Sequence, residues 1–171
     1  MDDLKKLIRN IPDFPKKGIM FRDITTLLKD GRGFARSIDL LARHYGGKRI
    51  SKIACIESRG FVVGSALAYK LGAGVVLIRK KGKLPCKTLK QSYELEYGTD
   101  TLEMHLDAIK PGERVLVVDD LLATGGTARA VARMIEKSKG ALEGMAFLIE
   151  LTALKGRGKI AGYDVYSIIK Y

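Results

Sequence analysis

Arg114-Val115-Leu116-Val117-Val118-Asp119-Asp120-Leu121-Leu122-Ala123-Thr124-Gly125-Gly126-Thr127-Ala128 is the stretch whose reading decides the fold. Val115 to Val118 is a short aliphatic, β-branched run, the pattern of a strand buried on both faces. Asp is poor in strand interiors, so Asp119 and Asp120 are expected at the strand's carboxyl end. The loop Ala123-Thr124-Gly125-Gly126-Thr127 then opens into a segment of helical period, with Ala128, Val131, Met134 and Ile135 on one face and a stop at Gly140.

Strand, acidic pair, glycine loop and helix together make a phosphate site with sugar-binding carboxylates beside it. Gly125 and Gly126 allow backbone N–H groups to turn toward an anion, and the helix start adds a favourable dipole. Thr124 and Thr127 offer hydroxyl donors, and adjacent carboxylates suit vicinal hydroxyls. No Gly-Lys-Ser/Thr follows, so this is not a Walker loop, and Gly-x-Gly-x-x-Gly is absent. A bare Gly-Gly between strand and helix is also what an ordinary tight turn uses.

Composition sets wider bounds. At 171 residues the chain suits one domain (1–171) with a real hydrophobic core, and 46% hydrophobic residues with mixed charge argue for a globular fold. No apolar run approaches a membrane span, Met1 to Lys6 has no signal-peptide shape, and no His/Cys group has zinc spacing. Cys55 and Cys86 are too few for a disulfide framework, so a cytoplasmic location is expected. The formal charge of +12 points to an anionic partner, either nucleic acid or a polyphosphate metabolite. Between Arg79 and Lys90 stand Arg79, Lys80, Lys81, Lys83, Lys87 and Lys90, with no acid among them.

Around the deciding stretch, a short helix carries Leu4, Leu7 and Ile8, and two prolines make 11–15 extended. Ile19, Met20 and Phe21 read by pattern alone as core. Asp30 precedes an amphipathic helix with Phe34, Ile38, Leu41 and Tyr45, stopped by Gly46-Gly47. A strand over 50–56, a helix over 61–71 and a strand over 74–78 form a right-handed βαβ unit of a parallel sheet. Tyr93, Leu95 and Tyr97, then Leu102, Met104 and Leu106, alternate around Gly98 as a β-hairpin. Strands follow over 145–151 and 164–169, with 155–159 a surface loop between them. If the strands near Ile53 and Arg114 are neighbours, Arg59 and the Gly125-Gly126 loop flank one crevice at a sheet switch point. By position alone Arg59 could equally serve a surface ion pair.

The deciding stretch resembles the phosphoribosyl pyrophosphate (PRPP) signature of the type I phosphoribosyltransferases. The resemblance extends through Phe14-Pro15, Gly18 with Phe21-Arg22-Asp23-Ile24, Glu57-Ser58-Arg59-Gly60-Phe61, Val76 to Lys80 and Gly82-Lys83-Leu84-Pro85. With Tyr93 to Gly98, Glu150-Leu151-Thr152 and Leu154 to Arg157, these blocks are similar to the adenine phosphoribosyltransferases over nearly the whole chain. Where Met20 stands, that family's pattern calls for a small branched residue.

This resemblance implies an α/β fold: an open five-stranded parallel sheet flanked by helices, a small N-terminal hood (mostly 1–30) and a flexible β-hairpin lid (80–106). It implies transfer of phosphoribose from PRPP to adenine, giving AMP and pyrophosphate, with Mg²⁺ on PRPP rather than on a protein ligand set, and a homodimer. Asp119 and Asp120 would hold the ribose hydroxyls, and Ala123, Thr124, Gly125, Gly126 and Thr127 the 5-phosphate. Glu57, Ser58, Arg59 and Gly60, with Arg79, Lys80 and Lys83, would serve pyrophosphate. Met20, Phe21, Arg22 and Leu151 would form the adenine pocket. Arg59, Glu96 and Tyr97 would be catalytic, with Glu96 beside the purine. Alternation alone would leave Glu96 on a solvated hairpin face. A regulator that binds nucleic acid through a PRPP-type pocket is the rival reading. It is disfavoured because the roughly fifty residues before the first sheet strand show no recognition-helix arrangement.

Overall fold

In the computed structural model, which describes residues 2–94 and 98–171, the buried run of the deciding stretch is the middle one of five parallel strands in a seven-stranded sheet. The helices are α1 (Asp2–Lys6), α2 (Thr25–Leu28), α3 (Gly31–Tyr45), α4 (Arg59–Leu71) and α5 (Gly126–Lys137). The strands are β1 (Arg9–Ile11), β2 (Phe21–Asp23), β3 (Lys52–Ile56), β4 (Gly74–Lys80), β5 (Thr88–Glu94), β6 (Thr99–His105), β7 (Arg114–Leu122), β8 (Ala141–Glu150) and β9 (Val165–Lys170). The sheet order is β5-β6-β4-β3-β7-β8-β9. Strands β4, β3, β7, β8 and β9 are parallel, which is the expected five-stranded core. The β5–β6 hairpin extends that sheet, because β6 pairs antiparallel with β4 at Arg79–Glu103 and Lys80–Leu102.

Alternation along the central strands supplies two cores. Ile53, Cys55, Leu116 and Val118 face one side, with Leu41, Tyr45, Val63 and Leu67 of α3 and α4 packed on them. Ala54, Ile56, Val115 and Val117 face the other, against Ala128, Val131, Met134 and Ile135 of α5 and Leu102 and Met104 of β6. Burial on both faces explains why Val115 to Val118 read as an unbroken aliphatic run.

The expected caps hold where they set helix positions. Asp30 accepts from the Gly33 N–H at 2.7 Å and starts α3. The left-handed Gly72 ends α4. Helix α5 stops at Lys137, a turn earlier than Gly140.

Three expectations need correction. Asp119 and Asp120 lie inside β7, because β8 runs on beside it to pair Leu122 with Glu150 after β3 pairing stops at Val118. Ile19 and Met20 are exposed rather than core, at 44% and 45%. The segment 155–159 is not simply a surface loop: it coils into a 3₁₀ turn whose Gly156 and Ile160 are buried.

The N-terminal segment is tied in by one carboxylate. Strands β1 and β2 form an antiparallel ribbon. Buried Asp23 accepts from Arg9 Nε at 2.9 Å, Arg9 Nη2 at 2.6 Å and the Thr25 N–H at 2.9 Å. Leu4, Ile8, Ile24 and Leu27 of this segment enter the α3–α4 core, so the ribbon stands on the main body. A cis Phe14-Pro15 bond lies in the connection between the ribbon's strands.

Candidate active site

The carboxyl ends of β3 and β7 are adjacent, and the two loops that leave them enclose a cleft of about 360 Å³. Glu57, Ser58, Arg59, Lys80, Asp119, Asp120, Ala123 and Thr127 line it, with Ile56, Leu102, Leu121 and Tyr93 as apolar walls. Asp119, Leu121, Ala123 and Thr127 also border a smaller hollow of about 70 Å³, closed by Leu122, Thr124, Gly125, Gly126, Ala128 and Phe147. Both aspartates thus share the cleft with the two ends of the glycine loop, Ala123 and Thr127, and Asp119 also faces the hollow that the loop encloses.

The loop's shape depends on Gly125, which sits at φ 78° and precedes the first turn of α5. A Cβ there would lie 2.3 Å from the Gly156 carbonyl oxygen, and a Cβ on Gly156 would lie 2.2 Å from that of Ala123. Backbone thus meets backbone at the rear of the loop. In front, a Cβ on Gly126 would come 3.3 Å from the Glu94 carbonyl oxygen, so the end of β5 rests on the start of α5.

The two aspartates differ. Buried Asp120 accepts from Arg59 Nε at 2.6 Å, and its N–H donates to Asp119 Oδ1 at 2.9 Å. Asp119 is partly open to the cleft, but protein encloses its carboxyl group. That enclosure, followed by the charge of Asp120, raises its pKa well above the ordinary carboxylate range. The Arg59 guanidinium also stands 5.7 Å from the centre of the Phe21 ring, within cation–π range. One arginine therefore spans from the carboxylate pair to the N-terminal ribbon.

Glu57 begins the second loop, joined to Ser58 by a cis peptide bond. Its carboxylate receives Lys83 Nζ, Arg79 Nε at 3.3 Å and the Lys80 N–H at 2.9 Å. Burial alone would raise the Glu57 pKa, but these donors outweigh burial and hold it below the usual value. Arg79 and Lys83 are thus turned onto Glu57, and only Lys80 of the three expected cations lines the cleft. Lys80 Nζ is 3.3 Å from Asp100, and Lys90 Nζ 3.0 Å from buried Glu103. The acid-free cluster at 79–90 is therefore answered by Glu57, Asp100 and Glu103 from elsewhere in the chain, which weakens it as a bare anion attractor.

The expected base-binding residues are less gathered. Phe21 meets Phe14 edge to face at 5.1 Å and Arg59 on its ring. Arg22 turns away, its guanidinium 3.8 Å from the centre of the Tyr171 ring, which leaves only its backbone for a ligand. Met20 is exposed, and Leu151 packs on the edge of the α3–α4 core. None of Met20, Phe21, Arg22 and Leu151 lines the cleft itself. Glu96 and Tyr97 lie outside the described residues. Sequence reasoning passed over Ile56 and Leu102 as cleft walls and Gly156 as the back of the loop. Inward alternation placed Tyr93 correctly, but did not show that it faces this cleft.

Among the described residues, no group of three or more His, Cys, Asp or Glu is placed to hold a metal ion, and no helix is long and apolar enough to cross a membrane.

Comparison with known proteins agrees over the whole chain. The family model for the phosphoribosyl transferase domain matches residues 20–168. A protein of Geotalea daltonii named adenine phosphoribosyltransferase is 60% identical over 171 residues, covering all of both chains. The crystal structure of adenine phosphoribosyltransferase from Thermoanaerobacter pseudethanolicus superposes with TM-score 0.96 at 54% identity, covering 99% of each chain. That of the Saccharomyces cerevisiae enzyme, complexed with an imino-altritol bisphosphate and adenine, gives 0.93 at 38% identity, covering 98% of this chain and 97% of the other.

Proposed function

The chain belongs to the adenine phosphoribosyltransferase family, and from that membership we propose how its own residues divide the work of the reaction. The enzyme transfers the 5-phosphoribosyl group from PRPP to adenine, giving AMP and pyrophosphate. The observation that carries the assignment of residues is the position of Arg59, bonded to Asp120 and facing Phe21, beside the Ala123–Thr127 loop.

In this reading the 5-phosphate lies on the N–H groups of Ala123 to Thr127 and on the dipole of α5. Asp119 and Asp120 accept from the ribose hydroxyls. A raised pKa on Asp119 suits a group that a sugar hydroxyl will meet in an enclosed space, since a new donor favours its charged form. Ser58, Arg59, Gly60 and Lys80 border the pyrophosphate. Arg79 and Lys83 reach it by leaving Glu57, so Glu57 holds both cations in waiting until the polyanion arrives. Adenine sits beneath Phe21, with Leu151 on its other side and the backbone of Met20 and Arg22 at its edge. Glu96 and Tyr97, outside the described residues, keep the catalytic roles that the family resemblance assigns them.

Loss of pyrophosphate from C1 builds positive charge on the ribose. The chain's task is to stabilise that charge and the departing anion, to align the attacking ring nitrogen, and to exclude water. Glu96 takes the proton that the purine nitrogen sheds as the new bond forms. No covalent enzyme intermediate is required.

Mg²⁺ fits this site as a passenger of the substrate. The described residues offer no three-ligand cluster, and Mg²⁺ commonly keeps its waters while bridging substrate phosphates. Its donors would be PRPP oxygens, with Asp119 and Asp120 as the facing carboxylates. When bound it neutralises charge on the pyrophosphate.

A homodimer in the cytoplasm completes the proposal. Val62 and Tyr69 of α4 and Val75 and Leu77 of β4 are exposed, and a second copy would cover them. Two cysteines outside any disulfide suit a reducing compartment.

The residue assignment is tested by Asp119→Asn with Asp120→Asn. The folded double variant is expected to lose PRPP affinity and turnover, because neutral amides no longer favour the sugar hydroxyls. An unchanged Michaelis constant for PRPP and unchanged turnover would remove the pair from the site.

A further inference from the structure

Apart from Leu151, the segment from Glu150 to Arg157 was matched by family resemblance yet has no part in the chemistry above. Glu150, the last residue of β8, is buried, and both its oxygens are occupied by Arg157: Nε to Oε1 at 2.7 Å and Nη2 to Oε2 at 2.8 Å. The third guanidinium nitrogen, Nη1, donates to the Val165 carbonyl of β9 at 3.0 Å. A planar fork so held has one orientation. The pairing keeps Glu150 below the usual carboxylate range, with the Arg157 hydrogen bonds as the leading cause.

Arg157 directly follows Gly156, whose backbone is pressed on Ala123 and Gly125. Glu150, for its part, pairs across the sheet with Leu122, the residue before Ala123. A closed mechanical circuit results, running from Leu122 to Glu150, through the ion pair to Arg157, along the chain to Gly156, and back onto the glycine loop. Neither charged side chain lines the cleft or the hollow. We propose that Arg157 and Glu150 are positioning residues that brace the loop from behind, fixing Gly156 so that the N–H groups of Ala123 to Thr127 keep their anion-binding geometry. The proposal rests on reading that loop as the 5-phosphate cradle.

Arg157→Lys is the test, because it leaves a cation beside buried Glu150 but loses the fork and the bond to Val165. Glu150→Gln is the companion variant. Thr127→Val, in the loop itself, checks the cradle. Equilibrium binding of ribose 5-phosphate reads the loop, and binding of inorganic pyrophosphate reads the remainder of the cleft. Thermal denaturation reads the fold. The brace predicts a ribose 5-phosphate Kd raised by on the order of tenfold in Arg157→Lys, since displacing a positioned group by about 1 Å can cost up to ~10²-fold. Pyrophosphate affinity is expected to stay within about twofold, on the additivity of separate sites. Unchanged ribose 5-phosphate binding in Arg157→Lys, with weakened binding in Thr127→Val, would overturn the brace and leave the cradle standing. Unchanged binding in both would overturn the two together. A parallel loss of both ligands and of thermal stability in Arg157→Lys and Glu150→Gln alike would reduce the pair to a structural ion pair.

Discussion

Replacing Gly125 by alanine adds one methyl group where the backbone leaves no room for it. Two costs follow from separate features. At φ 78° a Cβ is strained, which amounts to about 1–2 kcal/mol for a non-glycine residue. The methyl would also stand 2.3 Å from the Gly156 carbonyl oxygen, with the Gly156 carbonyl carbon and Cα at 3.1 and 3.2 Å. Ordinary contact begins near 3.4 Å, so loop and turn must separate by about 1 Å, a displacement that can cost ~10²-fold when it moves groups positioned on a reacting substrate. The backbone strain alone lowers the thermal midpoint by roughly 2–8 °C for a chain of this size. The assay is steady-state kinetics in PRPP beside a thermal melt, and kcat/KM for PRPP is expected to fall by on the order of 10²-fold. Gly158→Ala is the control in the neighbouring turn, because nothing lies within 4 Å of a Cβ there and its φ is not positive. Near-normal kcat/KM in Gly125→Ala would refute the claim that this backbone contact shapes the phosphate loop.

The remaining predictions concern protons. Asp119 has a raised folded-state pKa, so its contribution to stability is present below its ordinary value of 3.8 and is lost as pH rises through the folded pKa. Asp119→Asn is therefore expected to melt higher than the unaltered chain at pH 7, by a margin that shrinks on acidification; a margin independent of pH would contradict the enclosure argument. Glu57 and Glu150 are depressed below 4.5, so the stability they lend is present above that pH and disappears as pH falls through their lower folded values. Acid melts of Glu57→Gln and Glu150→Gln should each lose part of that pH dependence, and melts that parallel the parent's would remove these groups from the acid transition. Glu96→Gln is expected to slow the chemical step by roughly 10²–10⁴-fold in single-turnover experiments while PRPP affinity barely changes. Near-normal chemistry would return Glu96 to a solvated hairpin face.

Much of the fold was legible because its signals are local. The aliphatic run at Val115 to Val118, the Asp30 cap and the Gly72 stop each depend on neighbours within a turn or two, and each occurs as read. The β1–β2 ribbon was not legible. Arg9-Asn10-Ile11 is too short to alternate, and its pairing is fixed by Asp23, a distant residue. Asp119 and Asp120 read as strand-end residues, but the extent of β7 is decided by β8, which outruns β3. Charge misled for the same reason: Arg79 to Lys90 has no acid in sequence, while the fold brings Glu57, Asp100 and Glu103 to it. Gly156 read as part of a basic surface loop, because nothing near it in sequence announces that its backbone backs the phosphate loop. At the site, the two glycine-bearing loops were placed from pattern, whereas the linking role of Arg59 was not legible because its partners Asp120 and Phe21 are distant in sequence.

The central claim, phosphoribosyl transfer to adenine in preference to other purines, is tested most directly by product analysis. The enzyme is incubated with PRPP, Mg²⁺ and one purine base at a time, and nucleotide and pyrophosphate are quantified together. Adenine is expected to give AMP and pyrophosphate in equal amounts. Hypoxanthine and guanine should react far more slowly, since a pocket that bonds the 6-amino group leaves polar groups unpaired against a 6-oxo base, at about 1–3 kcal/mol for each buried group. Comparable formation of AMP, IMP and GMP, or no nucleotide from adenine, would contradict the account.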